Sequence, residues 1–189
     1  MKINGRFILF TMILVVVATA CKYFFGPDLD MSGFSPIFAI ALFSGMIIKD
    51  RDKSFLLPLI ALFISDMLIH FLYTQNMFPY AGIYNGQWKI YAILMLSTLI
   101  GWALKGRSYT RLLTGALAAP TVFFLVSNFL VWMGTTEAVY TKDFSGLMTC
   151  YTAALPFYKN ALVATLLFLP AVLFLYNIMM ERKAKLILA

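Results

Sequence analysis

The sequence predicts an all-α integral membrane protein in which six transmembrane helices form one bundle. Hydrophobic residues make up 62% of the 189 residues and charged residues only 12%, a balance typical of membrane proteins. Six apolar segments follow one another along the chain, separated by short polar or basic connections. Because no stretch is left over for a soluble unit, residues 1–189 are expected to form a single transmembrane domain.

The six apolar segments set the boundaries of the predicted helices. They cover residues 7–25, 34–48, 54–74, 89–104, 110–133 and 159–180. A bilayer-spanning helix needs about 20 mostly apolar residues, so the second and fourth segments are short and either tilt little or continue into the loops. No cleavage site of small residues follows the first segment, which favours a retained helix over a signal peptide.

Lysine and arginine residues predict the orientation in the bacterial inner membrane. If six helices alternate in direction, eleven of the fifteen basic residues fall on one side: Lys2, Arg6, Lys49, Arg51, Lys53, Lys105, Arg107, Arg111, Arg182, Lys183 and Lys185. By the positive-inside rule this side is cytoplasmic, and both termini lie there. The net charge of +7 therefore reflects topology. Since the basic residues form no patch, we expect no nucleic-acid partner.

The third segment carries the polar residues on which the functional prediction depends. Asp66 and His70, the only histidine, are four residues apart and share one helix face. An intramembrane Asp costs about 2.5–3.5 kcal/mol on insertion scales, so such residues usually face the bundle interior or a watery cavity. Asp66 lies roughly 18 Å along the helix at 1.5 Å per residue. We therefore expect both side chains to point inward in the outer half of the membrane.

Other polar and aromatic residues are expected at the same depth. The expected site residues are Asp66, His70, Trp88, Tyr91, Asn128, Trp132 and Asn160. Asp66 and His70 serve as polar anchors and as candidate hydrogen-bond partners of Asn128, an orienting amide. The aromatic residues form stacking walls or, alternatively, an interfacial belt. The connection before Trp88 is interpreted either as part of that belt or as a lid over a pocket.

Three further features concern packing. Ala41 and Gly45 form a small-x-x-x-small pair, which permits close approach of a helix of the same chain or of a partner protein. The last outer connection, about residues 134–158, has helically spaced apolar residues. It predicts a short amphipathic helix at the outer interface, which Pro156 ends before the sixth helix. Cys21 and Cys150 fit either buried thiols or a disulfide.

The one-sided distribution of polar groups favours a solute-binding cup that opens outward. A channel or proton pathway would carry polar groups along its whole length, whereas solute pockets combine apolar walls with few polar anchors. The sequence has no H-E-x-x-H, no G-x-S-x-G and no phosphate-binding glycine loop, so we expect no enzyme activity, cofactor or metal. The alternatives are a structural or assembly subunit and a membrane enzyme that uses Asp66 and His70.

Four segments resemble the signature blocks of a bacterial family of small six-helix membrane proteins that are labelled as transport proteins. They are SPIFAIALFSG, PLIALFISDMLI, FFLVSNFLVW and GLMTCYTAALPFYKNALVATLLF, and the resemblance covers about residues 33–170. More distantly, the length, the helix count and the Ile-Ser-Asp sequence of the third helix are similar to substrate-binding S-components of energy-coupling-factor vitamin transporters.

The resemblance to S-components implies a small, vitamin-like solute and a transmembrane coupling subunit with ATPases. Ala41 and Gly45 would be candidates for the docking face, since residues 7–25 lack the Ala-x-x-x-Ala pattern frequent in S-components. Some Gram-negative relatives of S-components carry cobalamin as solitary proteins, with a helix thiolate contacting cobalt. The third helix here has no cysteine, and His70 would have to take that place.

Overall fold

The elements of the described part of the chain are all α-helices, which confirms the all-α part of the prediction. The structure is a computed structural model and describes residues 5–105 and 108–180. Within these ranges there are six helices and no strand: α1 (Gly5–Phe25), α2 (Ile37–Ile47), α3 (Arg51–Thr74), α4 (Gln87–Ala103), α5 (Tyr109–Gly134) and α6 (Phe144–Met180). Five of the basic residues that predict the orientation lie outside the described residues: Lys2, Arg107, Arg182, Lys183 and Lys185.

Four of the described helices are long and apolar enough to cross a membrane. They are α1, α3, α5 and α6, with mean hydropathies between 1.8 and 2.2. Helices α2 and α4 have 11 and 17 residues. At 1.5 Å per residue they extend for about 16 and 26 Å, less than the roughly 30 Å of a bilayer core. The structure thus agrees with a membrane protein, and a full crossing by α2 and α4 stays a prediction.

Helix α2 lies at the centre of the bundle. Every residue from Ile37 to Met46 is buried, and the helix packs against α3, α4, α5 and α6. A helix that is hydrophobic all round is stable only when it is surrounded. The rings of Phe10, Phe43 and Tyr176 meet with centroids 5.0 to 5.6 Å apart. These aromatic contacts join α1 and α6 to α2.

The small residues of α2 are used inside the chain. Ala41 and Gly45 are buried, and a Cβ added to Gly45 would lie 2.1 Å from the backbone oxygen of Thr98 in α4. A Cβ on Gly101 of α4 would in turn lie 3.1 Å from the Cα of Gly45. Small side chains therefore let the two backbones touch. Of the two interpretations of this pair, the structure agrees with packing within the chain. Docking of a partner protein through the pair would require α4 to move.

Helix α6 corrects the prediction for the last connection. The sequence predicts a separate amphipathic helix that ends at Pro156, but Phe144–Met180 is one continuous helix of 37 residues. A proline removes one backbone donor, a loss that membrane helices tolerate when neighbouring groups satisfy the freed carbonyl. At 1.5 Å per residue the helix measures about 55 Å, well beyond the roughly 30 Å core. The helix is therefore longer than a crossing along the membrane normal requires.

The two cysteines are buried, free thiols. Cys21 lies in α1 and Cys150 in α6, and the Sγ atom of Cys150 is 3.5 Å from the backbone oxygen of Asn128. Of the two alternatives left by the sequence, the structure therefore has buried thiols and no disulfide between them.

Candidate functional site

An ion pair joins α1 to α3 at the end of the bundle where both helices finish and α4 begins, which we call the polar end. The Nζ atom of Lys22 pairs with Oδ1 of Asp66 and donates a hydrogen bond of 2.8 Å to Oγ of Ser65. Asp66 is only 7% exposed and Ser65 is fully buried. A buried carboxylate is costly unless it is paired and hydrogen-bonded. Lys22 supplies the compensating charge.

The second carboxylate oxygen of Asp66 accepts hydrogen bonds from two residues of α4. The amide of Gln87 donates to Oδ2 at 2.6 Å, and the hydroxyl of Tyr91 donates to the same atom at 2.7 Å. The Gln87 amide also donates to the backbone oxygen of Gly82 at 3.1 Å, and its Oε1 accepts from the backbone N–H of Tyr84 at 3.3 Å. Asp66 therefore links three helices, and Gln87 extends the network into the connection between α3 and α4.

Residues 75–86, which form this connection and which we call the cap, cover the network. A Cβ added to Gly82 would lie 2.2 Å from the backbone oxygen of Asp66, so the backbone of the cap rests directly on α3. Phe78 is buried and stacks on Tyr23 of α1, with ring centroids 5.7 Å apart. The cap is thus anchored on both helices that carry the ion pair.

His70 holds the cap and takes no part in the ion pair. Its Nδ1 atom accepts a hydrogen bond from the backbone N–H of Ile83 at 3.4 Å. Because Nδ1 is the acceptor, the neutral ring carries its proton on Nε2. His70 and Asp66 lie on one side of α3 as the spacing predicts, but they bond different partners.

Two tyrosines of the cap add no charge to the site. Partial burial raises the pKa of Tyr80 and of Tyr84, and the negative charge of Asp66 raises both further. Both hydroxyls are therefore protonated at neutral pH. The charges of Lys22 and Asp66 balance each other, and the network as a whole is neutral.

Of the other predicted residues near the start of α4 and in α5, only Tyr91 lies beside Asp66. Trp88 is 69% exposed, with the ammonium of Lys89 6.0 Å from its ring centroid. The side chain of Asn128 donates to the backbone oxygen of Phe124 in its own helix at 2.8 Å. Among the described residues, the expected hydrogen bond from Asn128 to Asp66 or His70 is not formed. An amide can be satisfied by its own helix backbone, which a sequence pattern does not show.

Trp132 and Asn160 hold connections between helices. The indole N–H of Trp132 donates to the backbone oxygen of Thr141 at 2.9 Å, between α5 and α6. The amide of Asn160 donates to the backbone oxygens of Asp30 and Ser32, at 2.8 and 2.9 Å, between α1 and α2. Both side chains therefore fix the loops of the polar end and stand apart from the Asp66 network.

The sequence interpretation missed two direct partners of Asp66, Lys22 and Gln87. It treats Lys22 only as a charge on the outer side, and it begins the fourth helix two residues after Gln87. Lys22 is three residues from the end of α1, and Asp66 is eight residues from the end of α3. Opposite charges near the same end of two predicted spans were the signal that could have paired them.

The network brings an ammonium, a carboxylate, an amide and a phenol together at one end of an apolar bundle. Lys22, Gln87 and Tyr91 all bond the carboxylate of Asp66. In residues 5–105 and 108–180, no group of three or more His, Cys, Asp or Glu side chains is close enough to hold a metal ion.

A family profile matches nearly the whole chain. The profile of a family of unknown function (DUF6580) matches residues 1–187. The chain belongs to the DUF6580 family. No curated protein and no solved structure matches it. The DUF6580 match includes all six helices and the Asp66 network, and the similarity to S-components stays a resemblance.

Proposed function

We propose that this DUF6580 protein is a membrane transport protein that captures a small, vitamin-like solute from the outer side of the bacterial inner membrane. In this proposal all six helices cross the membrane, both termini are cytoplasmic and the polar end faces outward. Lys22, Asp66, Gln87 and Tyr91 form the polar part of the solute site, and the cap is its lid.

The buried ion pair beneath the cap is the observation that supports this proposal. Ionisable residues inside membrane bundles are costly, and they commonly mark substrate or ion pathways. Replacing a buried ion pair by apolar residues is often neutral or stabilising, so a pair that only held α1 to α3 would have little advantage. Lys22 and Asp66 lie beside a loop that contacts their network through Gln87, which is the arrangement expected of a site with a lid.

Opening the cap would uncover the network and break three side-chain hydrogen bonds near Asp66. They run from Gln87 to Gly82, from Tyr84 to Gln87 and from Ile83 to His70. Each hydrogen bond contributes about 0.5–1.5 kcal/mol net. Their loss therefore costs about 1.5–4.5 kcal/mol. Polar groups of a solute would then replace those of the cap, and they would recover this free energy.

If the solute is of the cobalamin type, His70 must change its hydrogen bonding before it can bind cobalt. With Nδ1 bonded to Ile83, the protonated Nε2 has no lone pair for a metal centre. The ring would have to release Ile83, and therefore part of the cap, before either nitrogen bound cobalt. The proposal thus links any cobalt ligation by His70 to opening of the cap.

Energy for uptake would come from a partner or an ion gradient. The sequence has no phosphate-binding loop, and the resemblance to S-components favours a transmembrane coupling subunit with ATPases. Docking of that subunit through Ala41 and Gly45 would require α2 and α4 to separate, because α4 lies directly against Gly45.

A structural or assembly subunit is the second candidate, and the saturation of Asp66 favours it. Oδ1 pairs with Lys22, and Oδ2 accepts from Gln87 and Tyr91. In this role the network only ties three helices together and binds no solute.

Neutralising both charges separates the two candidates. The double variant Lys22→Gln/Asp66→Asn removes the charges but keeps polar side chains of similar shape, and Asn128→Ala is the control at similar depth outside the network. Thermal unfolding of each purified protein is followed while water-soluble vitamins are added one at a time. A solute at 100 times its Kd stabilises a protein by about 2.7 kcal/mol.

The transport proposal predicts that one solute stabilises the wild type and Asn128→Ala but not the double variant. A wild type that no vitamin stabilises, together with a double variant of unchanged stability, contradicts the proposal and favours a structural subunit.

A further inference from the structure

Two cations lie over the ring of Trp102, near the end of α4. The guanidinium carbon of Arg51, the first residue of α3, is 5.1 Å from the centroid of this ring. The ammonium of Lys105, which follows α4, is 5.3 Å from the same centroid. The separation of the two charges therefore cannot exceed the sum of these distances. We call Arg51, Trp102 and Lys105 the tryptophan site.

Hydrogen bonds and an aromatic contact fix the position of the Trp102 ring. Its indole N–H donates to Oγ of Ser54 at 3.1 Å, and Ser54 is fully buried. The hydroxyl of Ser54 donates to the backbone oxygen of Arg51 at 2.7 Å, and the hydroxyl of Ser44 donates to the backbone oxygen of Ser54 at 2.6 Å. Phe55 meets Trp102 edge-on, with ring centroids 5.2 Å apart. The two cations therefore share a ring that α2 and α3 hold in place.

The charges of Arg51 and Lys105 are not compensated by a carboxylate in the part of the chain that the structure describes. Neither forms an ion pair there, although Asp52 follows Arg51 in sequence. Lys53, in the same turn of α3, does pair with Asp50, at 3.0 Å. The side chains of Arg51 and Lys105 are also exposed. An anion from outside the chain can therefore reach both charges.

The tryptophan site lies where a membrane surface is expected. Arg51 and Asp66 are 15 residues apart in α3, which is about 22 Å at 1.5 Å per residue, so the site is at the opposite end of the bundle from the Asp66 network. Tryptophan is enriched at membrane–water interfaces. Arg111 contacts the backbone oxygen of Lys105 and brings a third cation to this end. Basic pockets between membrane helices bind the headgroups of anionic lipids.

We propose that Arg51 and Lys105 together bind one negatively charged phosphate group, with the ring of Trp102 holding both cations in position. One phosphate oxygen accepts from the guanidinium of Arg51 and another from the ammonium of Lys105, because charge-assisted hydrogen bonds to phosphate are strong. The group belongs either to the headgroup of an anionic lipid or to a soluble phosphate. The proposal is independent of the transport function, since the two sites lie at opposite ends of the bundle.

Native mass spectrometry of the full chain in detergent tests the lipid headgroup as the source. The protein is incubated with phosphatidylglycerol or with phosphatidylcholine carrying identical acyl chains. One basic residue strengthens binding to an anionic lipid by about fivefold, so two of them predict roughly tenfold or greater retention of phosphatidylglycerol. The variant Arg51→Gln/Lys105→Gln should retain both lipids equally.

A matched double variant separates this site from the general positive charge of the same end. Lys49→Gln/Lys53→Gln also removes two charges but leaves the tryptophan site intact, and it should keep the preference for phosphatidylglycerol. Arg51→Lys/Lys105→Arg keeps both charges at the site and should keep the preference as well. An equal loss of preference in the two glutamine variants would show that the charge acts diffusely, and it would overturn the proposal.

Calorimetric titration with inorganic phosphate, in detergent without lipid, tests the soluble source. Heat of binding in the wild type that is absent in Arg51→Gln/Lys105→Gln assigns the site to a soluble phosphate. A preference for phosphatidylglycerol without such heat assigns it to the lipid headgroup. Equal retention of the two lipids by the wild type, together with no binding of inorganic phosphate, contradicts the proposal.

Discussion

Two polar pairs at the same end of the bundle have the same spacing and different roles in the structure. Asp66 and His70 in α3 are four residues apart, as are Asn128 and Trp132 in α5. Asp66 is buried and joins three helices, and His70 holds the cap. Asn128 bonds its own helix, and Trp132 bonds the loop that follows α5.

The difference between the pairs comes from charge. A buried carboxylate requires a compensating cation and further donors, and the helices beside α3 provide them in Lys22, Gln87 and Tyr91. A neutral amide such as Asn128 can be satisfied by a backbone carbonyl one turn away. Polar spacing on a membrane helix therefore identifies a polar face, whereas a charge identifies the face around which other helices must assemble.

The largest expected effect comes from breaking the ion pair. Asp66→Ala leaves Lys22 without a counter-charge inside the bundle, which costs about 3–5 kcal/mol. Asn128→Ala removes a bond within one helix and should cost less than about 1 kcal/mol. Unfolding free energies in mixed micelles measure both. Adding Lys22→Gln to Asp66→Ala should restore most of the loss. Similar losses for the two single variants would contradict the comparison.

A smaller effect is expected from the contact between the cap and α3. Gly82→Ala would push a Cβ against the Asp66 backbone oxygen at 2.2 Å, so the cap must lift, at a cost of about 1–3 kcal/mol. Amide exchange in residues 75–86 should become faster. Gly134→Ala, which meets nothing within 4 Å, is the control. A cap as well protected in Gly82→Ala as in Gly134→Ala would show that the cap does not rest on α3.

The loop contact of Trp132 should matter less. Trp132→Phe removes the hydrogen bond to Thr141 and keeps an aromatic ring beside Phe129. The expected loss of stability is about 0.5–1.5 kcal/mol, with faster amide exchange confined to the connection between α5 and α6. Faster exchange in the cap as well would show that the two polar regions are coupled.

The smallest effect concerns the first turn of α6 and depends on pH. Oδ1 of Asp143 accepts from the hydroxyl of Thr141 at 2.7 Å and from the N–H of Gly146 at 2.8 Å. The Thr141 bond, followed by the Gly146 bond, holds the pKa of Asp143 below its usual value of 3.8. Because the folded pKa is the lower one, this stabilisation is present above pH 3.8 and is lost as pH falls through the folded value.

Amide exchange at Gly146, corrected for its intrinsic pH dependence, should be faster in strong acid than at neutral pH. Asp143→Asn keeps an accepting oxygen at every pH, so the variant should lose this pH dependence. Equal protection of the wild type at both pH values would contradict the capping role.

Hydropathy predicted most of the helices because length and apolar composition decide which segments can cross a bilayer. The predicted segments 7–25, 54–74 and 110–133 lie close to α1, α3 and α5. The start of α6 was predicted wrongly because Pro156 was interpreted as a helix end. The central place of α2 was not predictable, since a helix that is apolar on every side gives no direction.

The candidate site was predictable only in part. The charge of Asp66 predicts an inward position, and the structure confirms that this residue is buried. Its partners Lys22 and Gln87 are 44 and 21 residues away in sequence, and no local pattern shows which helices are neighbours. The roles of the site residues in binding stay predictions.

Native mass spectrometry of the protein, purified gently from its own membranes, tests most directly whether the Lys22–Asp66 network binds a solute. We predict a bound small molecule on the wild type and on Asn128→Ala, and its absence from the folded Lys22→Gln/Asp66→Asn variant. No bound molecule on any of the three proteins, or equal occupancy of all three, would contradict the account.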